Sequence, residues 1–270
     1  GYKNFKIKLF DLIDLNMKSI KMIPENQVLK EVFLSVARSK TSANKIAEKV
    51  SIVSAKEIEK RSGLSGAEIL EISPSVRIQK SQGGGGSPVL RGFEANRVLL
   101  VVDGVRMNNA IYRSGHLQNA ITVDPHNIER VEIVFGSSSV GYGSDALGGV
   151  IHYYTKSPEI NSENKLSHEF SSSFNSANSS SINNLTTSLS FKNWGSITSF
   201  SYSNFGDILS GNNRSHNYEE WGLTNFYSEN NRNNYSPTPE YNSTPDLQKN
   251  TGYNQYDLFQ KFSLRLPYNM

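Results

Sequence analysis

The stretch that decides the fold is residues 91–106, Arg-Gly-Phe-Glu-Ala-Asn-Arg-Val-Leu-Leu-Val-Val-Asp-Gly-Val-Arg. Its centre, Val98 to Val102, is a continuous apolar run, which predicts a buried strand. Two further stretches stand out: residues 128–134, Ile-Glu-Arg-Val-Glu-Ile-Val, and residues 142–151, Tyr-Gly-Ser-Asp-Ala-Leu-Gly-Gly-Val-Ile. Each leads into another predicted strand, so we expect the three stretches to lie in one compact α+β domain.

The surrounding sequence, from Val50 to Lys156, contains the helix starts, short strands and loops expected of such a domain. Two capping-box patterns predict the starts of short helices: a Ser with a Glu three residues later at positions 54 and 57, and again at 65 and 68. The helices are expected over residues 55–61 and 66–72. The remaining strands are expected at residues 50–53, 76–79, 88–91, 131–135 and 150–154, with long loops at 82–87 and 107–120.

Beyond Lys156 the sequence pattern changes, and apolar and polar residues alternate with a period of two. Four segments show it: 165–174, 182–192, 196–205 and 253–266. The pattern suits a transmembrane β-barrel with apolar side chains toward lipid and polar ones toward a wet lumen. A soluble β-sandwich alternates in the same way and is the alternative. The connection over residues 206–250 favours the barrel, because structureless loops of that length are rare in compact soluble domains.

Composition excludes several classes of protein. Hydrophobic residues make up 36% of the 270 residues, and the net charge of +3 is too small for a dedicated nucleic-acid binder. No run of 18 or more apolar residues exists, which excludes a transmembrane helix. The absence of cysteine excludes disulfides, thiolate metal sites and cysteine nucleophiles.

Enzyme motifs are incomplete. Residues 141–146, Gly-Tyr-Gly-Ser-Asp-Ala, lack the third glycine of a dinucleotide fingerprint, and the glycine run 83–86 lacks the Gly-Lys-Ser/Thr ending of a phosphate loop. There is no Gly-x-Ser-x-Gly elbow and no histidine pair at metal-ligand spacing. We therefore expect no catalytic residue, no metal site and no cofactor, and a protein that is not an enzyme.

Taken together and in this order, the stretches 91–106, 128–134 and 142–151 resemble the plug domain of TonB-dependent outer-membrane receptors. The resemblance implies an α+β plug domain, residues 46–157, followed by antiparallel strands of an incomplete transmembrane β-barrel, residues 158–270, with a long extracellular loop 206–250. It also implies a location in the cell outer membrane, in contact with its lipid. Since the family's barrels have more strands than the four segments supply, we expect a fragment, a truncated product or one piece of a split receptor.

The residues before the plug are expected to form two further parts. Residues 1–24 are similar to the end of a carboxypeptidase-regulatory-like β-domain of Bacteroidetes-type receptors, and residues 25–45 read as a tether. Within the tether, residues 29–37 are β-prone and fit either an ordinary edge strand or a segment offered to a partner by strand addition. The resemblance favours the second and implies that a TonB-type energy-transducing protein in the periplasm binds Glu31, Val32, Phe33, Leu34, Ser35 and Val36.

The resemblance also implies a charged lock between the plug and the barrel wall, formed by Arg91, Glu129, Arg130 and Glu132. The sequence departs from the family pattern at residues 135–137, where Phe-Gly-Ser stands in place of the usual Arg-Gly-Pro. One basic partner of that lock is therefore absent.

Residues 108–119 resemble plug loops in haem and haemoprotein receptors, which implies an extracellular ligand site at Asn109, Tyr112, Arg113 and His116. A neutral imidazole or a phenolate can ligate haem iron, and a guanidinium can pair with a propionate. The alternative is that Arg113 and His116 only hydrogen-bond the loop to itself.

At the level of function, the resemblance implies an active importer of a large, scarce ligand, with haem or haemoprotein favoured over siderophore or cobalamin. A surface ligand-binding or adhesion protein that captures its target through loop 206–250 without transport is the alternative. A signal-relay receptor is a third hypothesis.

Overall fold

A computed structural model divides the chain into two compact units, residues 1–47 and 48–270. The structure describes residues 33–34, 41–42, 49–61, 65–79, 86–94, 97–107, 119–136, 142, 144–161, 163–211, 213, 220–228, 230–231, 234–235 and 238–266. Residues 1–24, predicted to end a preceding β-domain, lie outside the described residues. In the first unit, β1 (Phe33–Leu34) pairs antiparallel with β2 (Thr41–Ser42).

The second unit begins with an α+β domain built on a five-stranded sheet. Its strands are β3 (Lys49–Ser54), β6 (Val98–Val102), β7 (Val105–Arg106), β8 (Ile128–Phe135) and β9 (Gly149–Thr155). Their spatial order is β3-β8-β9-β6-β7, and β6 and β9 are parallel while the other neighbours are antiparallel. A separate hairpin-like pair joins β4 (Val76–Gln79) to β5 (Ser87–Leu90). The predicted strands are present, with boundaries shifted by a few residues.

Both capping boxes form. Glu57 accepts hydrogen bonds from the backbone N–H of Ser54 (2.8 Å) and from its hydroxyl (2.7 Å) at the start of α1 (Ala55–Glu59). Ser65 and Glu68 exchange backbone-to-side-chain bonds, but the element that follows is a 3-10 helix, Glu68–Ile72, and not the predicted helix over 66–72. Short 3-10 turns also occur at Asn119–Thr122, Pro125–Asn127 and Ser144–Ala146. In the described part of the chain, no helix has the length and apolar character needed to cross a membrane.

One face of the five-stranded sheet carries the core of the α+β domain. Ile133 and Tyr153 from neighbouring strands pack with Ile69 and Leu70 of the 3-10 helix, and all four are fully buried. Each such side chain contributes about 1.5–3 kcal/mol through its burial. The Tyr153 hydroxyl donates a 3.2 Å hydrogen bond to the carbonyl of Gly66, which satisfies its polar end inside this core.

The rest of the second unit is an antiparallel four-stranded sheet. Its strands, in spatial order, are β10 (Lys165–Asn175), β11 (Ser180–Ser190), β12 (Trp194–Phe205) and β19 (Tyr253–Leu264). All four lie where the alternating sequence predicts them. The fold class expected from the sequence, an α+β domain followed by antiparallel barrel strands, is confirmed.

The two faces of this sheet have opposite character. Phe170, Leu185, Phe200 and Leu258 form a cross-strand row, and each is exposed, by 69%, 49%, 48% and 77%. The other face is largely polar, and on β11 and β12 it is buried, with Ile182 and Ile197 as apolar members; here the Asn184 amide donates to the hydroxyls of Ser199 (2.8 Å) and Ser201 (2.7 Å). A soluble sandwich buries its apolar face, so that alternative is wrong, and the arrangement is that of a barrel wall.

The connection between β12 and β19 is not structureless. It folds as nested antiparallel pairs: β13 (Ile208–Leu209) with β18 (Leu247–Gln248), β14 (Phe226–Tyr227) with β17 (Glu240–Tyr241), and β15 (Asn230–Asn231) with β16 (Asn234–Tyr235). The fully buried Asn242 holds them, because its amide donates to the carbonyls of Thr224 and Leu247 at 2.8 Å each. Three aromatic side chains, Trp221, Phe226 and Tyr241, are exposed by 75%, 61% and 70%.

Candidate functional site

The predicted ligand residues Asn109, Tyr112, Arg113 and His116 lie outside the described residues. The structure does describe the two ends of their loop. The Met107 N–H donates a 2.8 Å hydrogen bond to the carbonyl of Leu100, and its side chain packs against the core. At the other end Ala120 is fully buried. The loop is therefore anchored at both ends in the α+β domain, while the ligand site itself stays a prediction.

Of the predicted partner-binding segment, the structure describes Phe33 and Leu34, which form β1. Their backbone lies opposite Ser42 and Thr41. Glu31, Val32, Ser35 and Val36 lie outside the described residues. The function of this segment stays a prediction.

The four predicted lock residues lie on or beside the five-stranded sheet. Arg130 donates a 2.9 Å hydrogen bond from Nε to Oε1 of Glu132, a fully buried carboxylate. The Arg130 guanidinium also stacks over the Tyr154 ring, 3.9 Å from its centroid. Arg91 lies 5.2 Å from the Phe135 ring, and Glu129 is exposed. These contacts stay inside the α+β domain, so the role of the four residues as a lock to the barrel stays a prediction.

A different residue, Asp124, connects this domain to the four-stranded sheet. Its Oδ2 accepts hydrogen bonds from Ser201 of β12 (2.6 Å) and from the Asn127 amide (3.0 Å), and its Oδ1 accepts from the His126 N–H (3.0 Å). Burial opposes ionisation, but the hydrogen bonds from His126 and Ser201 outweigh it, so the pKa of Asp124 is lowered. Asp124 is therefore a buried anion held by donors from both parts of the unit.

A second connection joins Asp103 to Lys261 of β19. Lys261 Nζ lies 3.0 Å from Asp103 Oδ2 and donates to the Thr155 hydroxyl at 2.9 Å. The Thr155 hydroxyl donates in turn to Asp103, and its backbone N–H donates to Oδ1 at 2.9 Å. Burial raises the pKa of Asp103, but the bonds from Thr155 and Lys261 outweigh that effect and lower it.

The buried His152 contacts Gly104, the residue that follows Asp103 of this ion pair. Its Nε2 accepts a 3.0 Å hydrogen bond from the N–H of Gly104, so the neutral ring carries its proton on Nδ1, which lies 2.9 Å from the Tyr154 hydroxyl. The two rings stack with centroids 4.0 Å apart. Burial is the main cause that lowers the pKa of His152 to about 4; Arg130 adds to this and Asp103 opposes it.

Comparison with known proteins indicates the family of the α+β domain. The family model described as TonB-dependent Receptor Plug Domain matches residues 42–150. The vitamin B12 transporter BtuB of Vibrio vulnificus is 36% identical over 137 residues, 50% of this chain and 22% of that protein. The hemin receptor of Yersinia enterocolitica is 39% identical over 107 residues, 39% of this chain and 15% of that protein.

Residues 42–150 are a plug domain of the TonB-dependent receptor family.

The α+β domain is thus the plug, the four-stranded sheet belongs to the barrel, and the predicted location in the outer membrane is confirmed. A ferric enterobactin receptor of Pseudomonas aeruginosa shares the fold, with a TM-score of 0.54 at 18% identity, over 83% of this chain and 32% of that one. The chain thus spans about a fifth of the length of the first curated relative. The family comprises receptors and transporters, in agreement with the expectation of a non-enzyme. The Bacteroidetes-type assignment stays a prediction.

The sequence does not predict the contacts of Asp124 and Asp103 with the barrel strands, since the predicted lock consists of Arg91, Glu129, Arg130 and Glu132. The sequence does contain a signal for one of these contacts, the one made by Lys261. Lys261 occupies an inward position of β19 between Phe259 and Ser263, and a cation facing a barrel lumen needs a partner there. Asp124 and Ser201 carry no comparable signal. Among the described residues no three His, Asp or Glu side chains gather in a way that could hold a metal ion.

Proposed function

We propose that this chain supplies the plug and the first barrel strands of a receptor that takes up a large, scarce ligand, driven by a TonB-type protein in the periplasm. One observation carries the proposal: the plug domain contacts the polar inner face of the four-stranded sheet, and the outer face of that sheet is apolar. Asp124 to Ser201 and Asp103 to Lys261 are two of these contacts. The apolar row through Phe200 is proposed to face outer-membrane lipid.

Haem or a haemoprotein is the ligand that the loop chemistry favours over siderophore or cobalamin. Tyr112 and His116 offer iron ligands and Arg113 a partner for a propionate, on a loop anchored at Met107 and Ala120. A relative at 39% identity is named as a hemin receptor, which supports this choice. Relatives named for vitamin B12 and rhizobactin keep cobalamin and siderophores as candidates.

A haem titration of the full-length receptor tests the ligand. Tyr112→Phe and His116→Ala are expected to weaken haem binding and to alter its absorption spectrum, because each removes a possible axial ligand. His168→Ala is the matched control, since that exposed histidine lies on β10, away from the loop. Unchanged affinity and spectra in both loop variants would remove haem from the proposal.

A surface binding protein without transport is the second candidate, favoured by the exposed aromatic side chains of Trp221, Phe226 and Tyr241 in the long loop. Deletion of residues 29–37 separates the two functions. A TonB-driven importer is expected to keep ligand binding and lose uptake, measured as growth on the ligand as sole iron source. A receptor that only binds would lose neither. No enzymatic activity and no nucleic-acid partner are part of either proposal.

A further inference from the structure

The tight turn between β6 and β7 is held from two sides. Asp103 and Gly104 both have left-handed backbone, with φ of 45° and 88°, as a two-residue hairpin turn of this type requires. On the barrel side Lys261 binds the Asp103 carboxylate at 3.0 Å. On the plug side His152 accepts the hydrogen bond of the Gly104 N–H at 3.0 Å. Two neighbouring residues of one turn are therefore bound by one barrel cation and one plug imidazole, in addition to the hydrogen bonds that Thr155 donates to Asp103.

We propose that the Asp103–Gly104 turn is a pH-sensitive latch between plug and barrel, closed by Lys261 from the wall and by neutral His152 from the sheet. The latch rests on the proposed function only in requiring a plug seated in a barrel. The latch proposal does not depend on which ligand the receptor binds or on whether that ligand is transported.

Protonation of His152 opens the latch for a geometric reason. The neutral ring presents the lone pair of Nε2 to Gly104, whereas the imidazolium presents a second N–H there, so donor faces donor. The imidazolium also competes with Lys261 for the Asp103 carboxylate, because Asp103 lies beside the ring. The first effect removes the hydrogen bond on the plug side of the turn, and the second weakens the ion pair on its barrel side.

The charged and titratable groups around His152 come from each element packed against it. Asp103 lies on the turn and Lys261 on the barrel strand, Arg130 and the buried Glu132 lie on β8, and Tyr154 lies on β9. The two carboxylates favour the imidazolium, while the two cations and burial oppose it. The latch is therefore closed at neutral pH and opens as the pH falls below the ordinary range of histidine.

Label mobility in the full receptor tests the latch without reference to uptake. Val105 follows the turn and is 67% exposed, and the 270 residues contain no cysteine. A nitroxide on Val105→Cys, with any cysteine outside these residues replaced, reports the mobility of the turn by electron paramagnetic resonance. The variants are Asp103→Asn, Lys261→Gln and His152→Gln, with His152→Asn if the glutamine does not fold. Lys192→Gln, an exposed lysine in the turn before β12, is the control.

Three results are expected. Asp103→Asn and Lys261→Gln each raise the mobile fraction of the label at neutral pH, and together raise it no further, while Asp103→Lys with Lys261→Asp restores the immobile spectrum. The unsubstituted latch, carrying only the label, shows a rise in mobility as the pH falls toward 4, and His152→Gln lacks that rise. Mobility equal to that of Lys192→Gln in both single variants, or a pH transition that persists in His152→Gln, would overturn the proposal. Loss of uptake with an intact latch would bear on the proposed function instead.

Discussion

The Ser201 hydroxyl donates a 2.6 Å hydrogen bond to Oδ2 of Asp124 and so ties the third barrel strand to the plug across 77 positions of sequence. Ser201 is 1% exposed and Asp124 9% exposed. Water therefore cannot readily replace either partner. The Asn184 amide donates to the same hydroxyl at 2.7 Å, which extends the contact into the polar inner face of the wall. A plug that leaves its seat has to break a hydrogen bond to a buried charge.

Replacing Ser201 by alanine is expected to destabilise the seated plug. Asp124 would lose one donor while remaining buried, which costs about 1–3 kcal/mol. Thermal unfolding of the purified full receptor measures the effect as a lower melting temperature. Ser171→Ala is the control, because the buried Ser171 hydroxyl has no hydrogen-bond partner among the described residues. Equal melting temperatures for the two variants would contradict the importance of the Asp124 contact.

Asp124→Asn is expected to change the pH dependence of stability. The pKa of Asp124 is lower in the folded protein than its ordinary value of 3.8, so its ionised form stabilises the fold above that value. This contribution is lost as the pH falls through the folded pKa, below 3.8. The stability deficit of Asp124→Asn should therefore be full at neutral pH and shrink in strong acid.

Denaturant unfolding at a series of pH values checks this, with Glu71→Gln as the control. Glu71 is an exposed carboxylate on the 3-10 helix of the plug. A deficit for Asp124→Asn that stays constant with pH, or that matches Glu71→Gln, would show that the charge of Asp124 does not hold the plug.

The sequence predicts most of the fold because local signals agree with the tertiary structure. Capping boxes at Ser54 and Ser65 mark the two short helical elements, and the alternation in residues 196–205 places β12 within two residues of its observed bounds. Alternation alone could not tell which face is buried, however. That answer comes from the cross-strand row through Phe200, which is exposed, and from Ser201, which is not.

The contacts of the site could be predicted less well, because they join residues far apart in the chain. Asp103 and Lys261 are 158 positions apart, and no local pattern links the two. Arg130 and Glu132, predicted to contact the barrel wall, lie two positions apart on one strand face and pair with each other at 2.9 Å, and their role as a lock stays a prediction. Charge within a motif indicates that partners are needed, and it does not say which ones.

Gly195→Ala is expected to disturb the packing of the barrel wall against the chain segment that leaves the plug. A methyl group at Gly195 would overlap the backbone oxygen of Glu159, and a backbone atom cannot rotate away as a side chain can. Such overpacking costs about 1–3 kcal/mol. Gly211→Ala is the matched control, since a methyl group there meets nothing within 4 Å. Melting temperatures of the two variants are compared, and a Gly195→Ala protein as stable as Gly211→Ala would contradict this close approach.

Leu258→Arg tests the proposed orientation of the wall toward lipid. Leu258 is 77% exposed on the row with Phe200, and an arginine near the middle of a bilayer costs about 2–4 kcal/mol in a barrel. The full receptor carrying Leu258→Arg is therefore expected to reach the outer membrane in reduced amount and to unfold at lower denaturant concentration in lipid vesicles. Leu209→Arg is the control, because Leu209 is also exposed, by 53%, but lies in the long loop. Equal membrane levels and equal unfolding midpoints for the two variants would mean that the row through Phe200 and Leu258 faces water.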